Sequence, residues 1–519
     1  MAGTEHVACR SGELADGAMR AVEIDGRPVL LARVAGRCHA VGGTCPHAGA
    51  SLAEGVLRGG VVICPWHKAA FDVATGFRLE PPAVDDLPRF AVREADGEVL
   101  VALDAAPDRI DPVPAEGAGS DGRCMLVLGD GAAGAAAAQT LREEGFAGRV
   151  VMVGREDRLP YDRTVLSKYA LSATEGGEKT PLQDAGFYAR HRIERRHGDA
   201  RSLDMGAREV VLADGARLGF DAMLLATGAE PRPLPVPGGD LPGLFLLRGA
   251  ADAEAIAAAA EGARRAVVVG TGFIAMEAAA SLRERGLEVT VVAPQPVPFE
   301  RQLGPEIGGV FRRLHESKGV VFKQGNVAAV EGEGRARGVV LEDGTALPAD
   351  LVVAGLGVAP ATGLLHGIAP LRKDGGVDVD ANLRVAEGLY AAGDIAAFPM
   401  RGDGPPVRVE HWRVAQQHGR VAALNMLGRG VAYEAVPYFW TIQYRQRLDY
   451  VGHAEAWDGV EVDGSLDTPE FLAFFVKDGR AAAVAGWNRD HQMSAAIGLM
   501  TERRDWPVGQ LRDAIGRAG

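Results

Sequence analysis

The chain has 519 residues, a net charge of −13, abundant glycine and few aromatic residues. This length allows three or four domains. The acidic charge argues against nucleic acid and against anionic membrane surfaces as partners. No apolar run reaches the length of a membrane span. Among the five cysteines there is no Cys-x-x-Cys, which excludes a redox disulfide of that spacing.

Residues 6–103 alternate short apolar runs with glycine-containing turns, a pattern that predicts an all-β domain. Two Cys-His pairs interrupt this pattern: Cys45 with His47 and, after sixteen intervening residues, Cys64 with His67. Two thiolates and two imidazoles at this spacing are the ligand set of a Rieske 2Fe–2S cluster, in which each pair holds one iron. A structural Cys2His2 zinc site is the alternative.

Residues 104–122 are rich in proline, glycine and acidic residues and predict a linker. A buried-strand run then begins at Cys124 and ends in a loop with Gly129, Gly131 and Gly134. An Ala-rich helix and a second strand follow, and Glu156 comes after that strand. This order is the dinucleotide-binding fingerprint in its structural context, with the helix N-terminus facing the phosphates and Glu156 facing a ribose hydroxyl. A glycine-rich turn without a ligand is the alternative.

The same architecture recurs at Gly270 and Gly272, where Ala275 takes the place of the third glycine. Two such units in one chain predict two dinucleotides. The second strand of this unit is followed by Pro294 and Gln295, so neither an acidic residue nor an arginine marks the ribose. The choice between NADH and NADPH therefore stays open.

Several further segments resemble the two-dinucleotide flavin reductases. The run from Leu159 to Lys168 is similar to their flavin-side segment, and the pair Gly393-Asp394 is similar to the pair whose carboxylate binds the ribityl chain of FAD. The Pro-x-Phe-Trp-Thr pattern that ends at Thr441 resembles their C-terminal domain, which lies over the flavin. The resemblance implies additional FAD contacts at Arg163, Lys168, Thr227, Gly228, Arg232, Gly357, Glu410, His411, Trp412 and Trp440. Taken singly, Asp394 also suits a helix cap, and Trp412 and Trp440 also suit core aromatics.

The whole chain resembles Rieske-domain flavoprotein oxidoreductases of the apoptosis-inducing-factor-like and oxygenase-coupled ferredoxin reductase type. In that family a Glu and a Lys lie at the nicotinamide–flavin junction, and Glu277 and Lys168 are the candidates for these catalytic positions. The Rieske family usually has glycine at the position of Lys68, so we expect this charge to raise the cluster potential. The hydroxyl donors of high-potential members are absent, which predicts a low potential. We expect the surface around His47 and His67 to select the electron acceptor.

The predicted architecture is multidomain: an all-β Rieske domain, an α/β flavoprotein that binds FAD and NAD(P), and an α+β C-terminal domain. The expected boundaries are a Rieske domain (1–103), a linker (104–122), an FAD domain in two parts (123–249 and 366–432), an NAD(P) domain (250–365) and a C-terminal domain (433–519).

The predicted function is electron transfer from NAD(P)H through FAD to the Rieske cluster, and from there to a terminal oxygenase or another redox protein. One alternative is a self-contained NAD(P)H oxidase or small-molecule redox enzyme. The other is a redox-responsive signalling protein. Free thiols beside a cluster, together with an N-terminus unlike a signal peptide, predict a cytoplasmic location. A homodimer is one option for the oligomeric state.

Overall fold

The computed structural model describes residues 4–105, 121–172, 181–400, 405–503 and 505–518. Antiparallel strands form its N-terminal domain. One sheet has the order β1-β10-β9-β4-β3-β2 and the other β5-β6-β7-β8. Residues 106–120 of the predicted linker lie outside the described residues. The strands are β1 (Glu5–Arg10), β2 (Met19–Ile24), β3 (Arg27–Val34), β4 (Arg37–Gly42), β5 (Val56–Arg58), β6 (Val61–Ile63), β7 (Ala70–Asp72), β8 (Arg78–Glu80), β9 (Arg89–Ala95) and β10 (Glu98–Ala105).

The first dinucleotide unit begins at the strand that the sequence predicts. Near-continuous apolar runs form its parallel strands because both faces of the sheet are covered. The elements up to the first crossing between the two dinucleotide units are β11 (Cys124–Leu128), α1 (Ala132–Glu143), β12 (Arg149–Gly154), α2 (Tyr169–Ser172), α3 (Ala185–Arg190), β13 (Ile193–His197), β14 (Ala200–Asp204), β15 (Glu209–Leu212), β16 (Arg217–Gly219), β17 (Ala222–Leu225) and β18 (Ala229–Pro231).

The second dinucleotide unit is a five-stranded parallel sheet of order β19-β26-β20-β21-β22, with a three-stranded antiparallel sheet beside it. Strand β27 pairs antiparallel with β18, so the two crossings between the units run side by side. The elements are β19 (Leu244–Phe245), α4 (Ala250–Ala260), β20 (Arg265–Val269), α5 (Phe273–Glu284), β21 (Glu288–Ala293), α6 (Glu300–Ser317), β22 (Val321–Gln324), β23 (Val327–Glu331), β24 (Gly338–Leu341), β25 (Ala346–Pro348), β26 (Leu351–Ala354) and β27 (Val358–Pro360).

The chain then returns to the first unit and completes its sheet, which has the order β13-β12-β11-β17-β30-β29. Helix α7 packs closely on α1. Gly419 allows this approach because a Cβ at its position would collide with the Ala133 carbonyl. The returning elements are β28 (Val377–Asp378), β29 (Arg384–Ala386), β30 (Leu389–Ala391), β31 (Ala396–Pro399), β32 (Pro406–Arg408) and α7 (Trp412–Met426). Short 3-10 turns occur at Ser11–Glu13, Leu52–Glu54, Arg163–Val165, Gly363–Leu365 and Gly393–Ile395.

The C-terminal domain is a five-stranded antiparallel sheet of order β33-β34-β37-β36-β35 with two helices, as the α+β prediction requires. Its apolar core continues into the N-terminal domain through Ile63 and Ala70. Its elements are β33 (Tyr438–Gln443), β34 (Gln446–Gly452), β35 (Gly459–Ser465), β36 (Glu470–Lys477), β37 (Arg480–Trp487), α8 (Asp490–Glu502) and α9 (Val508–Ala518). In the described part of the chain, no helix combines the length and the apolar character needed to cross a membrane.

The N-terminal domain also packs on the first dinucleotide unit, along residues 78–84. Arg78 forms an ion pair of 2.8 Å with Glu143 on α1, and both side chains are buried. Gln139 on α1 donates to the Val84 carbonyl at 2.7 Å. On α7, Arg413 lies 3.3 Å from Glu80. The N-terminal domain is therefore held by buried polar contacts on one side and by the C-terminal domain on another.

Candidate redox-cofactor sites

The four predicted cluster ligands meet on two neighbouring loops. Cys45 and His47 follow β4, and Cys64 and His67 lie in the turn between β6 and β7. The two imidazoles face each other with their Nδ1 atoms 3.1 Å apart and their rings nearly perpendicular. The two thiols also pair, and this contact together with the Trp66 and His67 amides lowers the pKa of Cys64 to about 6.

This division into a thiol pair and an imidazole pair suits two irons better than one zinc. A structural zinc needs four donors around a single point. In the described ranges, no three Cys, His, Asp or Glu side chains converge on one metal position. A Rieske cluster instead takes two thiolates on one iron and two imidazoles on the other. The donor set therefore fits a 2Fe–2S cluster held by the residues that the sequence singled out.

The imidazole side of the cluster site faces the rest of the protein. The ring centre of Trp440 on β33 lies 4.7 Å from that of His67 and 6.5 Å from that of His47. Asp162 lies beside His47, with Oδ2 3.7 Å from Nε2. The imidazole rings are turned toward the reductase, and His67 is 9% exposed. The residues that cover the rings belong to the flavin-side segment and to the C-terminal domain. Pro46, Ala48 and Trp66 on the same two loops are exposed, so the surface for an external acceptor stays a prediction.

Lys68 occupies a left-handed backbone conformation with φ of 60°. Glycine adopts that conformation without strain, which accounts for the glycine that the resemblance leads one to expect. The Lys68 side chain is completely buried, and its Nζ lies 2.8 Å from Oδ2 of Asp449. Its charge is thus balanced within the fold, which argues against the predicted effect of an uncompensated charge on the cluster potential.

The first glycine loop has the shape that a dinucleotide requires. Gly129 has φ of 108°, and a Cβ on Gly134 would collide with the Gly129 carbonyl. Gly131 is open on the side that faces a small cavity, which Glu156 and Arg163 help to line. Arg163 lies 2.7 Å from Glu156, and the Tyr161 hydroxyl donates to the same carboxylate at 2.9 Å. These residues line a small cavity at the N-terminus of α1, where the glycine fingerprint predicts a dinucleotide phosphate.

Asp394 lies in the next part of this cleft, on the short turn after β30. Its Oδ2 lies 2.9 Å from the guanidinium of Arg248, which sequence reasoning missed. Gly228 adjoins the same guanidinium and has φ of 70°. Gly393 has φ of 73° and donates its amide to Nδ1 of the buried His418. An arginine at the start of a helix carries no sequence signal of its own, which is why this partner was not predicted.

Two of the predicted FAD residues, Thr227 and Arg232, form hydrogen bonds at the crossing between the dinucleotide units. The Thr227 hydroxyl donates to the Ala361 carbonyl at 2.6 Å. The Arg232 backbone amide donates to the Gly357 carbonyl at 2.9 Å, and its Nε donates to the Val358 carbonyl at 3.1 Å. The structure therefore gives these side chains a visible role in joining β18 to β27.

Glu277 and Lys168 meet where three parts of the chain join. Lys168 Nζ lies 3.0 Å from Oε2 of Glu277, and both side chains are buried. Ser167 of the flavin-side segment also donates to this carboxylate. Thr441 of the C-terminal domain donates to it at 2.7 Å. The carboxylate on α5 therefore links the second dinucleotide unit to the flavin-side segment and to the C-terminal domain.

The segment before α7 lies against the C-terminal domain. The ring of His411 contacts that of Phe439 at 4.5 Å between centres, and burial lowers the pKa of His411 to about 3. Glu410 pairs with Arg408. Trp412 packs against the apolar core of the first dinucleotide unit. Trp412 is partly buried, so its flavin contact and the core-aromatic alternative both stay predictions.

The second glycine loop repeats the geometry of the first. Gly270 has φ of 111°, and a Cβ there would collide with the Gly355 carbonyl. Gly272, at the N-terminus of α5, has open space where a Cβ would stand. The loop therefore admits the close backbone approach that a pyrophosphate needs.

Two dinucleotide units, an intervening Lys–Glu pair and a Cys2His2 cluster site define an NAD(P)H-dependent flavin oxidoreductase with an attached Rieske domain. Comparison with known families agrees. Residues 4–91 match the Rieske 2Fe–2S domain, residues 124–419 match pyridine nucleotide-disulphide oxidoreductase, and residues 438–515 match the reductase C-terminal domain. The chain belongs to the pyridine nucleotide-disulphide oxidoreductase family, and its cofactors are a Rieske 2Fe–2S cluster, FAD and NAD(P)H.

Some similar proteins match nearly the whole chain, and others match about three quarters of it. Apoptosis-inducing factor 3 of Mus musculus is 35% identical over 96% of this chain and 84% of its own length. Rhodocoxin reductase of Rhodococcus erythropolis is 37% identical over 73% of this chain and 90% of its own. A covalent putidaredoxin reductase–putidaredoxin complex superposes with a TM-score of 0.72 at 30% identity, over 76% of this chain and 99% of that one. The predicted fold class is confirmed by these matches.

Proposed function

We propose that this chain receives hydride equivalents from NAD(P)H at its flavin, sends single electrons to its own Rieske cluster and passes them to a partner redox protein or oxygenase component. One observation carries the proposal: both histidine ligands of the cluster pack against the reductase, with Trp440 touching His67 and Asp162 beside His47. A flavin is needed at this branch because hydride carries two electrons and the cluster accepts one at a time.

The residues that we assign to this route follow the contacts of the site. We place the FAD phosphates at Gly129, Gly131 and Gly134 and the ribityl chain at Asp394. We place NAD(P)H at Gly270 and Gly272. The buried pair of Lys168 and Glu277 orients the nicotinamide–flavin junction. Trp440 lies against the imidazole ligands, and the next residue, Thr441, donates to Glu277. Cys45, His47, Cys64 and His67 hold the cluster, whose chemistry is to accept and release one electron at a time.

The cysteines of this chain favour the cluster over a dithiol as the exit from the flavin. All five lie in the described residues, and we assign two of them, Cys45 and Cys64, to the cluster. Cys9 and Cys38 belong to the six-stranded sheet of the Rieske domain, and Cys124 begins β11. Burial raises the pKa of all three thiols, which disfavours thiolate chemistry. A disulfide relay of the kind that the family name suggests therefore has no residues here.

The names of relatives support a protein as the final acceptor. Rhodocoxin reductase is named for a protein that it reduces, and the putidaredoxin reductase structure is a complex with putidaredoxin. By analogy we propose an oxygenase component or a carrier protein as the partner here. We further propose a cytoplasmic protein that acts without nucleic acid or membrane, in keeping with its acidic charge. A homodimer and the domain boundaries given above stay predictions.

The test combines metal analysis with stopped-flow absorbance. Purified protein should contain about two irons with acid-labile sulfide, and the reduced protein should show the rhombic electron paramagnetic resonance signal of a histidine-ligated cluster. On mixing with NAD(P)H, the flavin should bleach first and the cluster should follow. Trp440→Leu should slow the second phase and leave the first unchanged.

Trp506→Leu is the matched control, because Trp506 belongs to the same domain but its indole donates to the Leu499 carbonyl. It should leave both phases unchanged. Cluster reduction by NAD(P)H in flavin-free protein would refute the route, as would an unaltered second phase in Trp440→Leu.

A signalling protein is the second candidate, and the match to apoptosis-inducing factor 3 over nearly the whole chain favours it. Slow turnover with a long-lived reduced flavin–nicotinamide complex would support this candidate. Rapid NAD(P)H consumption with dioxygen alone would instead support an oxidase.

A further inference from the structure

The loop that carries Cys64 and His67, called the second ligand loop below, is held through its backbone carbonyls. The Ser494 hydroxyl donates to the carbonyl of Cys64 at 3.2 Å. The Tyr438 hydroxyl lies 3.2 Å from the carbonyl of Trp66. Both donors belong to the C-terminal domain, so this domain grips the loop that carries Cys64 and His67.

The carbonyl between them, that of Pro65, is held from two sides. Arg447 of the C-terminal domain donates to it at 3.4 Å, and Lys68 of the loop itself donates to it as well. The Lys68 ammonium makes two further contacts, with the Asp449 carboxylate at 2.8 Å and with the Asp490 carbonyl at 3.2 Å. An ammonium has three donors, and all three are used.

The charged side chains around Lys68 pair with one another. Arg447 pairs with Asp490 and lies 3.4 Å from Oδ1 of Asp449. The single proton of the Tyr438 hydroxyl is shared between Asp449, at 2.8 Å, and the Trp66 carbonyl, at 3.2 Å. Two cations and two carboxylates therefore balance across the domain boundary, and the Lys68–Asp449 pair at its centre is almost completely buried.

These outward contacts set the inward face of the loop. The amides of Trp66 and His67 lie near the Cys64 sulfur and help to lower the pKa of this thiol. Since each peptide unit is planar, a carbonyl fixed toward the C-terminal domain fixes the next amide toward the cluster side. Hydrogen bonds to cluster sulfurs raise the reduction potential of the cluster.

We propose that Lys68 and Asp449 form an interdomain anchor, which positions the second ligand loop so that His67 lies against Trp440 for the flavin-to-cluster step. Lys68 is a positioning residue that acts through the loop backbone. The anchor fixes the Rieske domain on the reductase, in place of the free approach of a separate ferredoxin. This inference rests on the proposed electron route and adds the residues that set its geometry.

The experiment uses the full-length holoprotein and three variants: Lys68→Met, Asp449→Asn, and the double variant Lys68→Met/Asp449→Leu. The double variant removes both buried charges and keeps most of the side-chain volume, so it should fold even where a single variant leaves an unpaired buried charge. Flavin content, iron content and the rhombic resonance signal report on whether each variant is loaded.

In loaded variants, flavin bleaching by NAD(P)H should be unchanged, whereas cluster reduction should slow by about 10- to 100-fold. The midpoint potential of the cluster should fall, because the amides that face Cys64 lose their fixed orientation. A purely structural role would move neither the potential nor the ratio of the two phases. Arg58→Met is the matched control, since Arg58 pairs with Glu502 across the same two domains at the surface. It should leave both phases and the potential unchanged.

Wild-type rates and potential in the double variant would overturn the inference. Loss of iron from the double variant would also overturn it, because the pair would then hold the cluster and not place it. A wild-type protein whose cluster is not reduced after its flavin would instead refute the proposed function, which keeps the two failures distinct.

Discussion

Replacing Glu277 by Gln tests whether its carboxylate joins α5 to the flavin-side segment and to the C-terminal domain. The carboxylate lies 3.0 Å from Lys168 Nζ, with side-chain exposures of 3% and 9%. At that distance, and with an effective dielectric constant near 20, the attraction is about 5.5 kcal/mol. Gln keeps the volume and still accepts from Thr441, but its amide nitrogen replaces the oxygen that accepts from Ser167 and Lys168. Because a buried ammonium is left unpaired, we expect a loss of about 3–5 kcal/mol of unfolding free energy.

A double-mutant cycle with Lys168→Met isolates the pair. Urea unfolding of the two single variants and of the double variant gives the coupling energy, which we expect to be about 3 kcal/mol. Hydride transfer from NAD(P)H, followed as flavin bleaching, should slow in Glu277→Gln because the junction loses its fixed geometry. A coupling below about 1 kcal/mol, the value of an exposed pair, would refute the reasoning.

Two further predictions follow from buried polar groups. Asp394→Asn should weaken FAD retention by about 1.5–3 kcal/mol if the carboxylate accepts a charge-assisted hydrogen bond, measured by flavin release on dilution; unchanged retention would make Asp394 a structural partner of Arg248 only. Burial lowers the pKa of His418 to about 3, below its usual 6.5. Between these two pH values the unfolded chain binds a proton at this ring and the folded protein does not. The contribution of the buried neutral ring to folding stability is therefore complete above about pH 6.5 and is lost as the pH falls toward about 3. His418→Phe should therefore reduce the pH dependence of urea unfolding by about 1.4 kcal/mol per pH unit in that range; an unchanged slope would contradict this.

The local motifs could be predicted because their evidence lies within short stretches of sequence. The strand that begins at Cys124, its glycine loop and α1 follow from one apolar run and its turn residues. The cluster ligands follow from the spacing of two Cys-His pairs, and both arrangements agree with the structure. Spacing along the chain is enough when the interacting groups share a loop or consecutive elements.

The partners that cross domains could not be predicted in this way. Asp162 lies beside His47, Arg248 pairs with Asp394, and Thr441 reaches Glu277 from far along the chain. Asp162 and Thr441 lie within segments that resemble the flavin reductases, but the resemblance does not name these contacts, and Arg248 lies in no such segment. Their roles depend on how the domains dock, so a single sequence carries no signal for them.

The residue at position 68 shows what docking adds. A lysine with positive φ costs about 1–2 kcal/mol of backbone strain relative to glycine. Burying its ammonium without a partner would cost several kcal/mol more. Both costs are offset only while Asp449 and the carbonyls of Pro65 and Asp490 surround the ammonium. A carrier protein that left its reductase after each electron would lose two of these partners at every cycle. The lysine is therefore suited to a Rieske domain that stays docked while electrons move through it.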